Sequence, residues 1–268
     1  MILISFIKLM ANIISSKDSN LFKYARKLYQ KANFRKKERK FVVEGLKEIE
    51  YCIKSNFIID SIFMSHNKNY DNIKILNKKI YVVDEKLINK IVYRQSEGIF
   101  AIVNYKDFEI SKVKLKKDEL FLILEKPEKP GNIGAIMRTY EACGFKNLII
   151  VDSSAEVYNP NTIRSSLGSI FYLNIFQIKS IDLIDFLKKN NFKIYSSFIN
   201  SKKNYCKINF KDRCGIVMGP EKSSINSEFI NKSDELFSLP MYGKVDSLNL
   251  SVATGIILYE ALNQRKFS

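Results

Sequence analysis

Apolar residues in this chain fall mostly into short continuous runs bounded by polar or Gly-containing stretches, the pattern of strands buried on both faces. Over the carboxyl-terminal half the runs LFLILE, NLIIVD, FYLNIFQI, FKIYSSFI, CGIVMG and ELFSLP alternate with helical segments. That alternation predicts a parallel sheet covered by helices. In the amino-terminal part FVVEG (41–45) predicts a strand, EGLKEIEYCIKSN a helix and IIDSIFM a second strand; YVVD (81–84), a helix to about Val92 and the strand GIFAIVNY follow. This is a smaller α/β unit of about a hundred residues, enough for a domain.

The stretch KDFEISKVKLKKDE, 106–119, is charged and aperiodic, which predicts a linker. The expected organisation is therefore an extension over 1–20, an α/β domain over 21–105, a linker over 106–118 and a second α/β domain over 119–268. The opening MILISFIKLMANII lacks the basic leading region and cleavage site of a secretory signal and is too short and interrupted to span a bilayer. It reads as an unstructured extension, with Met10 as an alternative start.

Composition narrows the partners. The 268 residues are 46% hydrophobic and 27% charged, so a sizeable core is available. Forty-four Lys and Arg against 28 Asp and Glu leave a net charge of +16, which favours a polyanion and argues against an acidic tail or metal buffer. The charge concentrates in FKYARKLYQKANFRKKERK, residues 22–40, with nine basic residues and one acidic. Arg26, Lys27, Arg35, Lys36, Lys37 and Arg39 are the expected RNA contacts, with Tyr24, Tyr29 and Phe34 either packing or stacking on bases. The alternative is a solvated basic helix face. Cys52, Cys143, Cys206 and Cys214 show no CxxC spacing, so neither a zinc site nor a disulfide framework is suggested and a reducing, cytoplasmic setting fits.

Three loops carry candidate chemistry. In KPGNIGAIMR, Pro130 and Gly131 form a turn, Asn132 is the expected helix cap, and Gly134 permits close approach. Arg138 falls about a turn and a half into the helix, where its side chain leans back toward the loop to meet an anion; the alternative is a pair with Glu141. In IVMGPEKSSI, a buried strand ends at Gly219 and presents Glu221, suited to orient a hydroxyl or to hold an Arg. In LPMYGKVDSLNLSVATGIILYE, Pro240 stops a strand, Gly243 frees the backbone, and Ser247 and Asn249 open a long amphipathic helix, either capping it or holding a polar ligand.

Two common chemistries lose support. No G-x-G-x-x-G follows a strand and no G-x-x-x-x-G-K-[ST] occurs, which argues against a Rossmann dinucleotide site and a P-loop. His66, the only histidine, lies in the polar loop SHNKN, away from the three motifs, so a Ser-His-Asp hydrolase is not expected.

NIGAIMR, GPEK and LPMYGKVDSLNLSVA, in this order and near the ends of successive strands, resemble the three signature motifs of the SpoU (TrmH-type) RNA ribose methyltransferases of the SPOUT class. The resemblance covers about residues 120–265. RKKERKFVVEGLKEIEYCIKSNFIIDSIFMS is similar to the substrate-binding domain of members acting on large-subunit rRNA, as are EKPEKPGNIGAIMRT and VYNPNTIRSSLGSIF to that subgroup's motifs. The resemblance implies a parallel α/β sheet with a deep trefoil knot at its carboxyl end, an exception to unthreaded chains, and a homodimer with the active site near its interface. It implies S-adenosyl-L-methionine as cofactor, no metal, no membrane, and methyl transfer to a ribose 2′-hydroxyl of rRNA. A tRNA substrate, or a non-catalytic RNA-binding or ribosome-assembly protein of the same fold, are the alternatives.

Carried over by motif position, Arg138 is the central catalytic group with Asn132, Glu221, Ser247 and Asn249 around it, and Leu239, Gly219, Met241, Gly243, Leu248 and Ala253 line the cofactor pocket. Two positions depart from the pattern. Ser224 replaces a common Gly after the Glu of the second motif, and Lys129 stands where many members carry an acidic residue.

Overall fold

The structure, a computed structural model, describes residues 12–14, 16–66, 79–92, 97–221 and 223–267. Its contacts divide the chain into two units, one running to Lys106 and including Tyr158–Ile163, the other comprising Asp107–Val157 and the chain from Arg164 on. Among the described residues no helix is long and apolar enough to cross a membrane.

In the first unit, strands β1 (Asn12–Ile14), β2 (Lys40–Glu44), β3 (Ile59–Ser65), β4 (Lys79–Val83) and β5 (Ile99–Asn104) form one sheet in the order β1-β4-β3-β5-β2. Pairing is parallel for β1 with β4 and β3 with β4, and antiparallel where β5 joins β3 and β2. The edge strand β1 corrects the sequence reading of 1–20 as an unstructured extension, because its backbone pairs in register with Tyr81–Val83. Residues 1–11 of that extension lie outside the described residues.

The basic segment forms helices α1 (Asn20–Gln30) and α2 (Ala32–Glu38). Phe22, Ala25 and Leu28 recur on one face of α1 and are buried with Val42, Phe63 and Phe100 of the sheet. The aromatics pack: Tyr24 meets Phe34 edge to face at 5.4 Å, and both, with Tyr29, lie against this core. Arg35, expected as an RNA contact, is instead 2% exposed. Its Nη1 donates to the Leu28 and Tyr29 carbonyls at 2.7 and 2.8 Å. These belong to the last turn of α1, where carbonyls lack partners within the helix, so the guanidinium joins α1 to α2. Two further helices, α3 (Leu46–Lys54) and α4 (Glu85–Ile88), complete the unit.

The second unit is built on six parallel strands, β6 (Leu120–Glu125), β7 (Asn147–Val151), β8 (Asn174–Ile178), β9 (Lys193–Ser197), β10 (Cys214–Met218) and β11 (Glu235–Phe237), in the order β11-β9-β10-β6-β7-β8. Each continuous apolar run supplies one strand, and β6, β7 and β10 are buried at every position. The run FYLNIFQI is strand only from Asn174, since Ser169–Tyr172 is a 3₁₀ turn.

The helices are α5 (Pro130–Ala142), α6 (Pro160–Ser166, whose first residues belong to the first unit), α7 (Ser180–Lys189), α8 (Ser227–Lys232) and α9 (Leu250–Lys266), with α9 packed on α5. The charged 106–119 stretch is no free linker: Phe108, Ile110, Val113 and Leu115 pack on the core of this unit, beside Phe121 and Phe176. Its apolar residues are too widely spaced to form a regular strand, yet each finds a buried surface.

Truncation tests the account of the basic helices. Arg35→Ala is expected to lower the stability of the protein by about 2 kcal/mol or more, because it removes a buried guanidinium and strands two carbonyls. Lys36→Ala and Lys37→Ala, at exposed positions, stay within about 0.5 kcal/mol. Thermal unfolding compares the three, and equal effects would contradict the buried role.

Candidate active site

The first candidate loop leaves β6 at Glu125 and turns into α5 at Pro130. Pro at the first helical position loses nothing, since its missing N–H would lack a partner there. The residue before it, Lys129, is therefore the N-cap, and Asn132 lies inside the first turn rather than capping it. This frees the Asn132 side chain: its Nδ2 donates to Glu221 Oε1 at 2.6 Å. The other Glu221 oxygen, Oε2, pairs with Lys129 Nζ at 2.6 Å, and the Glu221 side chain is only 10% exposed. The carboxylate thus holds a lysine and an asparagine, not an arginine.

The third loop enters the same network. Asn249 caps α9, its Oδ1 accepting from Ser251 N at 2.8 Å, while its Nδ2 donates to Asn132 Oδ1 at 3.2 Å. Capping and site-building are both realised, by different atoms of one side chain. Lys129, Glu221, Asn132 and Asn249 form a continuous chain across three loops that are far apart in sequence. The Glu221 carboxylate holds Lys129 above the ordinary lysine pKa through this bond and its charge.

The second loop is pinned at both ends. At its start, Gly219 packs close to Ile225, where an added Cβ would lie in van der Waals contact at 3.4 Å from the Ile225 Cβ. At its end, the Asn226 N–H donates to both oxygens of Glu125 at 3.1 and 3.0 Å. Glu125 is 1% exposed; burial pushes its carboxyl above the ordinary value, while the Asn226 N–H and Lys126 pull it back. Sequence reasoning missed Glu125. The available signal was an acidic residue at the last position of an otherwise apolar strand.

These loops border a cleft of about 600 Å³ at the carboxyl edge of the sheet. Gly219, Leu239, Met241, Leu248 and Ala253 line it, as do Glu221, Ser247 and Asn249. Gly243 is not on its wall. Ser197–Ile199 at the end of β9 also line it, a contribution the sequence showed only as the end of a strand. Its size and its mixed apolar and polar lining fit a nucleoside-sized ligand.

Arg138 is placed differently. Because α5 starts at Pro130, Arg138 sits about two turns into the helix. It is exposed, does not line the cleft, and makes no hydrogen bond or ion pair with a described residue. The alternative pair with Glu141 is not formed. In the first unit Arg26, Lys27, Lys36, Lys37 and Arg39 are exposed, with Lys27 Nζ 4.8 Å from the centre of the Phe34 ring and the Arg39 guanidinium 5.5 Å from that of Tyr105. Among the described residues no group of three or more His, Cys, Asp or Glu could hold a metal ion.

Comparison with known proteins agrees with this geometry. Residues 20–101 match the model of the MRM3-like substrate binding domain. A 23S rRNA (guanosine(2553)-2′-O)-methyltransferase of Bacillus subtilis is 26% identical over 93% of this chain and 98% of its own. The AdoMet-bound rRNA methyltransferase of Sinorhizobium meliloti superposes with a TM-score of 0.88 at 25% identity, covering 96% of this chain and 99% of that one. The SpoU methyltransferase AviRb of Streptomyces viridochromogenes, at 22% identity, shares the fold with a TM-score of 0.85 over 92% of this chain and 98% of its own. Residues 119–259, more than half of the chain and including all three loops of the cleft, match the model of the SpoU rRNA Methylase family, and the chain belongs to that family.

Proposed function

We propose that the protein transfers a methyl group from S-adenosylmethionine to a ribose 2′-hydroxyl of RNA, with large-subunit rRNA as substrate. The observation that carries this reading is the cleft at the carboxyl edge of the parallel sheet, built from all three signature loops and closed by the Glu221 network. Gly219, Leu239, Met241, Leu248 and Ala253 would hold the cofactor. Large-subunit rRNA is favoured over tRNA by the similarity to rRNA-acting proteins along nearly the whole chain. The exposed basic residues of α1 and α2 would receive its backbone. The deep trefoil knot belongs to this reading too, supported by the way Met218–Glu221 and Ser223–Ile225 line one cleft with Ser238, Leu239, Met241 and Asp246–Leu250. So does a cytoplasmic setting, with four free cysteines.

When bound, S-adenosylmethionine would supply an electrophilic methyl group: the C–O bond to the ribose oxygen would form as the C–S bond breaks, with S-adenosylhomocysteine as leaving group and the hydroxyl proton lost to solvent. Glu221, held on one oxygen by Asn132 and on the other by Lys129, positions the loops around the cleft. Arg138 presents only donors and stays charged, so its role is to bind a phosphate beside the target ribose and stabilise the developing oxyanion. It makes no hydrogen bond or ion pair with a described residue, which leaves it available for this.

The active protein is a homodimer in this reading. Helix α9 departs from the amphipathic helix its sequence suggested: Leu250, Ile257, Leu258 and Ala261 are buried, yet Val252 and Tyr259 leave a second apolar stripe that is 51 and 56% exposed. A second copy would cover it.

Labelled S-adenosylmethionine incubated with unmodified rRNA and tRNA, followed by nuclease mapping, should place label on a single rRNA 2′-oxygen; label on tRNA alone would move the substrate, and no label on any RNA would contradict the enzyme. Arg138→Ala should lower kcat by about a hundredfold or more with cofactor affinity within about twofold, and full activity would remove Arg138 from the mechanism. Light scattering should show a dimer that Val252→Asp with Tyr259→Asp turns into a monomer; a wild-type monomer would contradict the assembly.

A further inference from the structure

Lys129 combines two features that ordinary surface lysines lack. Its side chain is 62% exposed at the rim of the cleft, and its Nζ rests on an oxygen of Glu221, a carboxylate that is 10% exposed and fixed on its other oxygen by Asn132. A free lysine carries about 2 kcal/mol of rotamer entropy, much of which is lost when a ligand immobilises it. Here the carboxylate beneath has already ordered the side chain, so an anion arriving at the rim meets a cation in place.

The ammonium has three N–H donors and no acceptor, and Glu221 engages one of them. Two donors remain at the mouth of the cleft. The neighbouring carboxylate keeps the group protonated by raising its pKa. In the reaction proposed above, two kinds of anion would come near this region: the carboxylate of the cofactor, held inside the cleft, and the phosphates of the RNA strand, outside it. The exposure of Lys129 at the rim matches the second.

We infer that Lys129 is a phosphate contact for the RNA strand at the mouth of the cleft, aligned by Glu221 and particular to chains with a cation at this position. The inference rests on the reading of the protein as an RNA methyltransferase. Lys129 acts on substrate binding, with Glu221 as its positioning partner. Lysine supplies a point charge there, so arginine can replace it where alanine cannot.

The test uses the full chain with unmodified rRNA and S-adenosylmethionine, comparing wild type, Lys129→Ala and Lys129→Arg. Cofactor affinity is measured by calorimetry, and RNA KM and kcat are measured across a series of KCl concentrations. Lys129→Ala should raise the RNA KM by about three- to tenfold and make log(1/KM) against log[KCl] shallower by about 0.7 to 0.9, one phosphate contact. Cofactor affinity is read separately, because the Lys129–Glu221 pair is part of the network beside the cleft, and Lys129→Arg should recover the wild-type slope. An unchanged slope in Lys129→Ala overturns the inference, whether or not cofactor affinity moves, while the methyltransferase reading stands. A wild type that binds the cofactor but methylates no RNA overturns the reading beneath it as well.

Discussion

A nearly buried carboxylate gathers the site. Glu221 sits at the end of β10 and accepts from the first turn of α5 on one oxygen and from Lys129 on the other. Such a group is costly to bury unless both oxygens are satisfied. The requirement works in both directions. Glu221 needs Asn132 and Lys129 where they are, and those residues in turn are placed by it. Asn132 then passes the constraint to Asn249, which starts α9. Three loops far apart in sequence become one wall.

The sheet makes this possible. Parallel strands all end at the same edge, so the loops after β6, β9, β10 and β11 meet there. Glu125, at the end of β6, holds the far end of the second loop through the Asn226 N–H. Two carboxylates thus divide the work: Glu125 sets the floor of the loop, and Glu221 joins the loop to its neighbours. Catalytic groups in the ordinary sense are few, which fits a reaction whose acceleration comes largely from positioning.

The strands of the second unit were legible because a strand buried on both faces leaves a continuous apolar run, and the three motifs were legible as fixed patterns. What escaped the sequence depends on partners distant along the chain. Asn132 looked like a cap until Pro130 moved the helix start upstream, and Arg35 looked like its basic neighbours although it turns inward to the end of α1. Phe108, Ile110, Val113 and Leu115 looked like a charged linker because the lysines between them hide their burial. Gly243 carried a family role that the cleft geometry does not repeat. For Asn132, Arg35 and the 106–119 stretch, local composition was read correctly and the tertiary partner decided the outcome.

Asn132 offers the most direct test of the network, because it joins Glu221 to Asn249 without lining the cleft itself. The measurement is the calorimetric affinity of Asn132→Ala for S-adenosylmethionine, beside a thermal melt to establish that the variant is folded. Losing two hydrogen bonds at about 0.5–1 kcal/mol each should weaken binding by roughly tenfold. Unchanged affinity in a folded variant would contradict the claim that this chain of side chains assembles the site.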